Sequence, residues 1–540
     1  MATTIGAKDI LDLPEWRQLA PVPNADAAGV CLAADLRNTE LRHHQVFQLA
    51  SATVLNSYHT KNDGWSLVGS PALAGTFGAG ACCVFAPSRG PRGTLAAGGT
   101  TTKVVLSTAL PAAVGINMLA GRGDGTGFTI RIIGNSAGGS GKVEERKILA
   151  NTGGTTPTLI LDSALSFTPA LGDGYELLSG RVYLLSAGTL AAGVWKYYDI
   201  ATNSFSGNLA TTNLPATINT DTCAVCLDEG YTPSDCQPGE GFVLGAGDGG
   251  VAAHALVATA SAAGTLTGQA ASGDATVLAN EFRNFVIRIV KDTGTPTAVG
   301  QRRRITSHTA GASPVYTITG NWTVTPSATC QFVIEYPDEI ILWSSASTST
   351  FTYAQDTIGT AQTGDTWSTT TYGVRGGAAS TGCMAFAPFG IPTTYLYGAS
   401  AKDPDRNFRW SHIHTFRGGA AVTLDVLDIA GGANGLWSNA AVYGSGPTFT
   451  TGSCGAYNGA CTVTDGKFFY ISQNGGQLFY RYNVFARQLN EWAYLRYSQG
   501  TAVIGGRMTM ATFVDGTLKI ALPMLLRSSG TELFQIVAHR

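Results

Sequence analysis

Short runs in which large apolar and polar residues alternate recur along the chain, cut by Gly, Asn and Asp. Late in the chain they read KFFYIS from Lys467 and LFYRYN from Leu478, with Gly475-Gly476 between them and Glu491-Trp492-Ala493-Tyr494-Leu495 after them. An earlier set reads RVYLLSAG from Arg181, VWKYYD from Val194 and Asn203-Ser204-Phe205. The first reads QVFQLA from Gln45, TVLNSYH from Thr53 and Asp63-Gly64-Trp65. β-Branched and aromatic residues at period two, bounded by turn formers, predict strands joined by tight turns. Each set supplies two strands and a third that ends at an aromatic. A fourth begins near a sulfur residue: CCVFAP from Cys82, CMAFAP from Cys383, CGAY from Cys454 and MTMATF from Met508.

The aromatic and the sulfur residue form a regular pair, 15 to 18 residues apart: Trp16/Cys31, Trp65/Cys82, Phe205/Cys223, Trp367/Cys383, Trp437/Cys454 and Trp492/Met508. Four antiparallel strands repeated around an axis make a β-propeller, which hides sheet edges by radial repetition. Six pairs predict six blades in an all-β fold. The Trp16 strand has no partners before it, and the last sheet, from Met508 through TLKIAL and ELFQIV, has no aromatic strand after it. The N-terminal strand is therefore expected to complete the C-terminal sheet and close the ring.

The aromatics are unevenly spaced, with intervals of 140 before Phe205 and 162 before Trp367. A blade needs about 40–50 residues, so two blades carry long insertions. These are copies of one another. Phe128-Thr129-Ile130-Arg131-Ile132 matches Phe285-Val286-Ile287-Arg288-Ile289 at an offset of 157. The same offset links Arg146/Arg303, Ile148/Ile305, Thr152/Thr309, Gly154/Gly311, Pro157/Pro314, Thr168-Pro169/Thr325-Pro326 and Tyr175/Phe332. Both read as antiparallel β-modules. The organisation expected is propeller over 1–87, a first β-module over 88–178, propeller over 179–229, a second module over 230–335, and propeller over 336–540. Low-complexity stretches such as Ala252 to Gly273 carry few large apolar residues and are expected to be mobile or to need a partner.

Composition narrows the function. Charged residues are 13% of the chain, about half the usual globular share, while 44% apolar residues at strand period argue for packed sheets over disorder. A net charge of −2 supplies no general attraction to polyanions, so sequence-specific nucleic-acid binding is not expected. No run of 18 apolar residues predicts a membrane span, and MATTIGAKDILDLPEW lacks the basic-then-apolar pattern of an export signal.

Candidate chemistry is sparse. Cys223-Ala-Val-Cys226 with Cys236 has zinc-like spacing. However, Cys223 occupies the place that Cys82, Cys383, Cys454 and Met508 take in other repeats, and a methionine there points to apolar packing. No metal or other cofactor is expected. His412 and His414 share a strand face without a third ligand at natural spacing, and they read as packing residues. Arg122-Gly123-Asp124 and the Asn321-Trp322-Thr323 sequon are short enough to be accidental. Arg302, Arg303 and Arg304 form a compact basic cluster on the second module, expected as a solvated turn or an ion-pair contact with a neighbouring subunit. Sialidase-like glycosidases also use six-bladed propellers, but their repeated Ser-x-Asp-x-Gly-x-x-Trp turn is missing, with Asn62-Asp63-Gly64-Trp65 a faint echo. No Gly-x-Ser-x-Gly, Walker or zincin motif appears, so the expectation is a protein that is not an enzyme.

Gly300-Gln301-Arg302-Arg303-Arg304-Ile305, Ser307-His308-Thr309 and Trp322-Thr323-Val324-Thr325-Pro326 resemble modules of tailed-bacteriophage virion proteins, and KYYDIATNSFS and RYNVFARQLNEW resemble kelch-like repeats. A propeller carrying β-inserts is similar in plan to the tail nozzle proteins of short-tailed phages. That resemblance implies a structural component of the virion tail that forms part of the DNA exit channel. It also implies a homohexamer in contact with the tail adaptor and tail fibres, through which DNA passes without sequence-specific binding. Two alternatives stay open: a capsid-decorating or fibre-like virion protein, and a glycan-binding or glycan-cleaving propeller.

Overall fold

The computed structural model describes most of residues 15–211 and 256–335, with strand segments between 217 and 226 and between 340 and 537. Its architecture is all-β; among the described residues the one helical segment is the 3-10 turn Pro296–Ala298. Among the described residues, six antiparallel four-stranded sheets follow one another along the chain. Sheet 1 is Cys31–Ala34, Gln45–Ala50, Val54–His59 and Gly64–Leu67. Sheet 2 is Cys82–Ala86, Arg181–Leu185, Trp195–Asp199 and Ser204–Phe205. Sheet 3 is Cys223–Cys226, Ile340–Trp343, Phe351–Asp356 and Asp365–Tyr372. Sheet 4 is Thr381–Ala387, His412–Arg417, Leu424–Asp428 and Leu436–Ala440. Sheet 5 is Cys454–Tyr457, Phe468–Ser472, Leu478–Asn483 and Gln488–Tyr494.

Sheet 6 joins the two ends of the chain. Met508–Asp515, Leu518–Leu526 and Leu533–Val537 are completed by Glu15–Gln18, with Trp16 opposite Ile536. Leu19 and Val22 continue this clasp through backbone bonds to Leu533 and Thr531, and both side chains are buried. The first strands of successive sheets lie side by side, from sheet 1 through to sheet 6, and the sixth returns to the first.

The burial pattern explains this arrangement. In sheet 2 all five residues of Cys82–Ala86 are buried, so the strand is apolar on both faces. Cys83 and Phe85, with Val182 and Leu184, pack on Phe47 and Leu49 of sheet 1. Cys82, Val84 and Ala86, with Tyr183 and Leu185, pack on Cys226 and Ile340 of sheet 3. Ordering a residue costs about 1–2 kcal/mol of backbone entropy, and burying a large apolar side chain returns about 1.5–3 kcal/mol. A strand covered on one face would bury half these side chains and fall short; stacking sheets face to face covers both.

A repeated turn fixes the outer edge. Asp63 and Asn203 adopt φ of 45° and 49°, left-handed values that Asn and Asp tolerate best after Gly. The Tyr58 hydroxyl donates to Asp63 Oδ1 at 2.7 Å and the Tyr198 hydroxyl to Asn203 Oδ1 at 2.9 Å. Those tyrosine rings carry Trp65 and Phe205, with centroids 5.1 and 5.4 Å apart. Asp63 Oδ1 also accepts the Ala20 N–H at 2.8 Å, and the Trp65 indole N–H donates to the Ala20 carbonyl at 3.0 Å. The first sheet thereby holds the clasp.

The inserts leave sheets 2 and 3 after their first strands. Insert 1 is a six-stranded sheet ordered Arg92–Thr94, Gly174–Leu178, Thr129–Gly134, Lys142–Asn151, Thr158–Leu161, Lys103–Val105, with a bridge between Leu95 and Leu106 tying its two edges. Insert 2 is a closed barrel with the equivalent order: Leu256–Ala262, Gln331–Glu335, Val286–Lys291, Arg302–His308, Val315–Ile318, Thr265–Gly268. Even the bulge after Ile148 recurs after Ile305.

The low-complexity expectation is corrected in part. Within Ala252 to Gly273, Leu256–Ala262 and Thr265–Gly268 form the hairpin that closes the barrel, because alternate Leu256, Ala258 and Leu266 reach its core. Small residues suffice there, since Gly268 lies against the Phe332 ring with no room for a Cβ.

Asp63→Ala is expected to lower stability by about 1–2 kcal/mol, through two lost hydrogen bonds and an alanine at positive φ. Asp63→Asn, copying Asn203, should retain most of it. Urea unfolding followed by tryptophan fluorescence checks the ranking.

Candidate interaction site: a buried arginine–glutamate cluster between the inserts

The strands Thr129–Gly134 and Val286–Lys291 are nearly all apolar, yet each carries an arginine at the equivalent place, Arg131 and Arg288. These two strands bring the inserts together. Strand register places Arg131 between Glu176 and Glu145, with Arg92 beyond Glu176, so insert 1 displays a cross-strand row of alternating charge. Arg131 donates from Nε and Nη2 to Glu145 Oε1 at 2.9 and 2.8 Å, and from Nη1 to Glu176 Oε2 at 3.1 Å. Arg288, 112 residues away, donates from Nη1 to the other Glu176 oxygen at 2.5 Å. Arg92 Nε stands 3.9 Å from the same oxygen.

The matching row on insert 2 is Val333, Arg288 and Arg302. Val333 stands where insert 1 has Glu176, and Arg302 where it has Glu145. The duplicated faces thus differ: the row on insert 1 alternates in charge, the row on insert 2 is basic, and Glu176 draws arginines from both. Glu176, Arg131 and Arg288 are all 3% exposed or less, so this pairing is shielded from salt and solvent. Burial pushes the Glu176 carboxyl up, but Arg288, Arg92, Arg131 and Arg302 outweigh it and hold the group far below the usual carboxylate range.

The arginine run of insert 2 is therefore a strand, not a solvated turn: Arg302 and Arg304 are buried. A turn would leave its charges in water, whereas strand alternation puts Arg302 and Arg304 on the buried outer face that carries Arg288, and Arg303 on the core-side face with Ile287 and Ile305. Arg303 lies over the Trp322 ring at 5.8 Å and donates to the Asn321 carbonyl and the Thr323 hydroxyl. Its counterpart Arg146 donates in the same way to the Ala164 carbonyl.

Of the repeat residues, Cys31, Cys82 and Met508 are buried, and Trp65 and Phe205 are half-buried. Trp16, Cys223, Trp367, Cys383, Trp437, Cys454 and Trp492 lie on strands, their side chains outside the described residues. Burial, with neighbouring Cys83 and Cys82, raises the Cys31 thiol well above its ordinary value. Burial and Asp292 push Cys330 up to about 12. Such thiols stay protonated and pack as small apolar groups. His414 is buried, its ring 6.5 Å from that of Tyr482. Cys236 and the Arg122-Gly123-Asp124 triplet lie outside the described residues. Among the described residues, no three or more His, Cys, Asp or Glu side chains are grouped to hold a metal ion, and no helix is long and apolar enough to cross a membrane.

No family model matches the chain, and no curated protein does. Among solved structures, the NanB sialidase from Streptococcus pneumoniae bound to a chlorobenzylammonio-ethanesulfonate is similar at 8% identity. The match covers 97% of this chain and 93% of that one, with a TM-score of 0.18. A point mutant of the same sialidase gives 8% identity, 98% and 95% coverage and a TM-score of 0.17. Similarity this loose carries no argument about fold or chemistry.

Glu176→Gln is expected to destabilise the inserts by about 3–5 kcal/mol, because it strands buried arginines. With a depressed folded value, the stabilisation from Glu176 is complete above its ordinary 4.5 and declines as pH falls below that. Chemical denaturation of wild type and variant at neutral and acid pH checks both effects; the difference between them should shrink in acid.

Proposed function

We propose that this chain is a structural subunit of a phage virion, a six-bladed propeller that serves as a rigid block of the tail nozzle around the DNA exit channel. The observation that carries the reading is the cycle of six first strands, clasped by Glu15–Gln18 against Leu533–Val537. A closed ring resists shear because opening it at the clasp requires breaking a sheet and the core between the sixth and first sheets at once. The inserts project from adjacent sheets as two modules joined by buried charge, suited to holding a fixed contact surface toward other subunits, an adaptor or fibres. The virion setting rests on the resemblance of the arginine-strand motif and the kelch-like strands to virion proteins. A near-neutral, charge-poor chain suits a conduit, since a basic groove would hold DNA through counterion release.

Mass photometry and negative-stain microscopy of the purified protein test this reading. Six-copy rings, with antibody labelling at the virion tail, are the expected result. A trimer with label on the capsid would overturn it in favour of a decorating or fibre role, and specific retention on a glycan array without ring formation would overturn it in favour of a glycan-directed propeller.

A further inference from the structure

At one place the two inserts hold the same backbone with different chemistry. Asn117 and Asn280 both adopt left-handed backbone, with φ of 58° and 62°. In insert 1 the Asn117 N–H donates to the Asn151 carbonyl, and the Asn151 N–H donates back to Asn117 Oδ1. Asn151 Oδ1 then accepts the Leu119 N–H at 2.8 Å, while its amide donates to the carbonyls of Gly115 and Thr152. Insert 2 repeats every backbone element of this. The Asn280 N–H donates to the His308 carbonyl, and the His308 N–H donates to Asn280 Oδ1 at 2.9 Å. His308 stands where insert 1 has Asn151, and its Nε2 accepts the Phe282 N–H at 2.7 Å.

The imidazole is therefore committed to one form. Nδ1 lies 3.0 Å from the Thr309 carbonyl, which can only accept, so Nδ1 carries the proton. Nε2 faces a backbone donor and must offer its lone pair. A second proton on Nε2 would set donor against donor in a buried site, with Phe282 stacked on the ring at 5.7 Å and Tyr316 5.3 Å away. Among the described residues, Arg283 is the charged group that acts on His308, and Tyr316 is the titratable one against it, its hydroxyl bonded to the Gln269 carbonyl.

We propose that His308 makes insert 2 an acid-sensitive latch: protonation at Nε2 expels the Phe282 N–H and loosens the turn at Asn280, Phe282 and Arg283, while insert 1, held by Asn151, stays closed. Burial and Arg283 both lower the His308 value from its ordinary 6.5, outweighing the Thr309 carbonyl. The folded state thus holds fewer protons than the unfolded one. Its contribution is complete above 6.5 and is lost as pH falls below it.

Hydrogen exchange with mass spectrometry on the whole protein reads the latch directly. Between about pH 7.5 and about pH 5, after correction for intrinsic rates, exchange in peptide 277–285 should accelerate about tenfold. The matching peptide 115–120 should not change. His308→Asn, which installs the chemistry of insert 1, should abolish the acceleration. Equal changes in both peptides, no change in either, or acceleration that persists in the variant would overturn the proposal. Should the variant fail to fold, the comparison of the two inserts within the wild-type chain still decides.

Discussion

A strand that is apolar on both faces has to be covered on both, and the arrangement of the six sheets follows from that constraint. Cys82–Ala86 divides its side chains between the core it shares with sheet 1 and the core it shares with sheet 3. A linear stack of such sheets would leave two uncovered faces at its ends. Returning the last sheet to the first removes both, and the neighbourhood of Leu32, Val46, Met510 and Leu525 is where that return is packed. The N-terminal strand is the device that makes closure cooperative, since Leu19 and Val22 enter the same core as the last strands of the chain. The polar fittings are secondary: Asp63 aligns an edge that burial has already specified.

The inserts obey a different logic. Each packs its apolar residues around a core of its own, that of insert 1 also taking in Ile200 and Ala201 beside sheet 2. Their union is electrostatic, through a carboxylate gripped by arginines from both modules. A buried ion pair is a weak source of net stability compared with an apolar contact of equal size, but breaking it is costly and its geometry is specific. Glu176 stands where insert 2 has Val333, and Glu145 where it has Arg302, so the two faces are unequal.

Strands and the duplication were legible in the sequence, since both reside in periodicity and offset. The alternation around Arg181, Val194 and Phe468 marks strands because side-chain direction reverses at every residue. The charge cluster was present in the same alignment, where Arg131 and Arg288 are the one charged residue in otherwise apolar matched runs, but its significance depends on which strands meet. Register and inter-module packing are non-local, and no local pattern reports them. The arginine run shows the same gap: read alone, three consecutive charges suggest solvent, whereas alternation on a barrel strand puts two of them on the face of Arg288, buried outside the barrel core. The stretch around Ala258 misled through composition, because small residues can pack when a ring such as Phe332 fills the space they leave.

Comparison of the inserts separates what the module requires from what each copy has specialised. The backbone bonds Ile148 to Phe128 and Ile305 to Phe285, Thr152 to Thr158 and Thr309 to Val315, and Asn117 to Asn151 and Asn280 to His308 are common to both. These define the module, and any side chain that leaves them intact is admissible. The exchanges Glu176/Val333, Glu145/Arg302 and Asn151/His308 preserve the bonds while changing charge or proton affinity. The first two give the inserts unequal faces. The third substitutes a titrating acceptor for one that does not titrate, at a point where the backbone N–H of Phe282 has no other described acceptor. Copies under the same folding constraint have thus diverged at the positions that set what they bind and when they open.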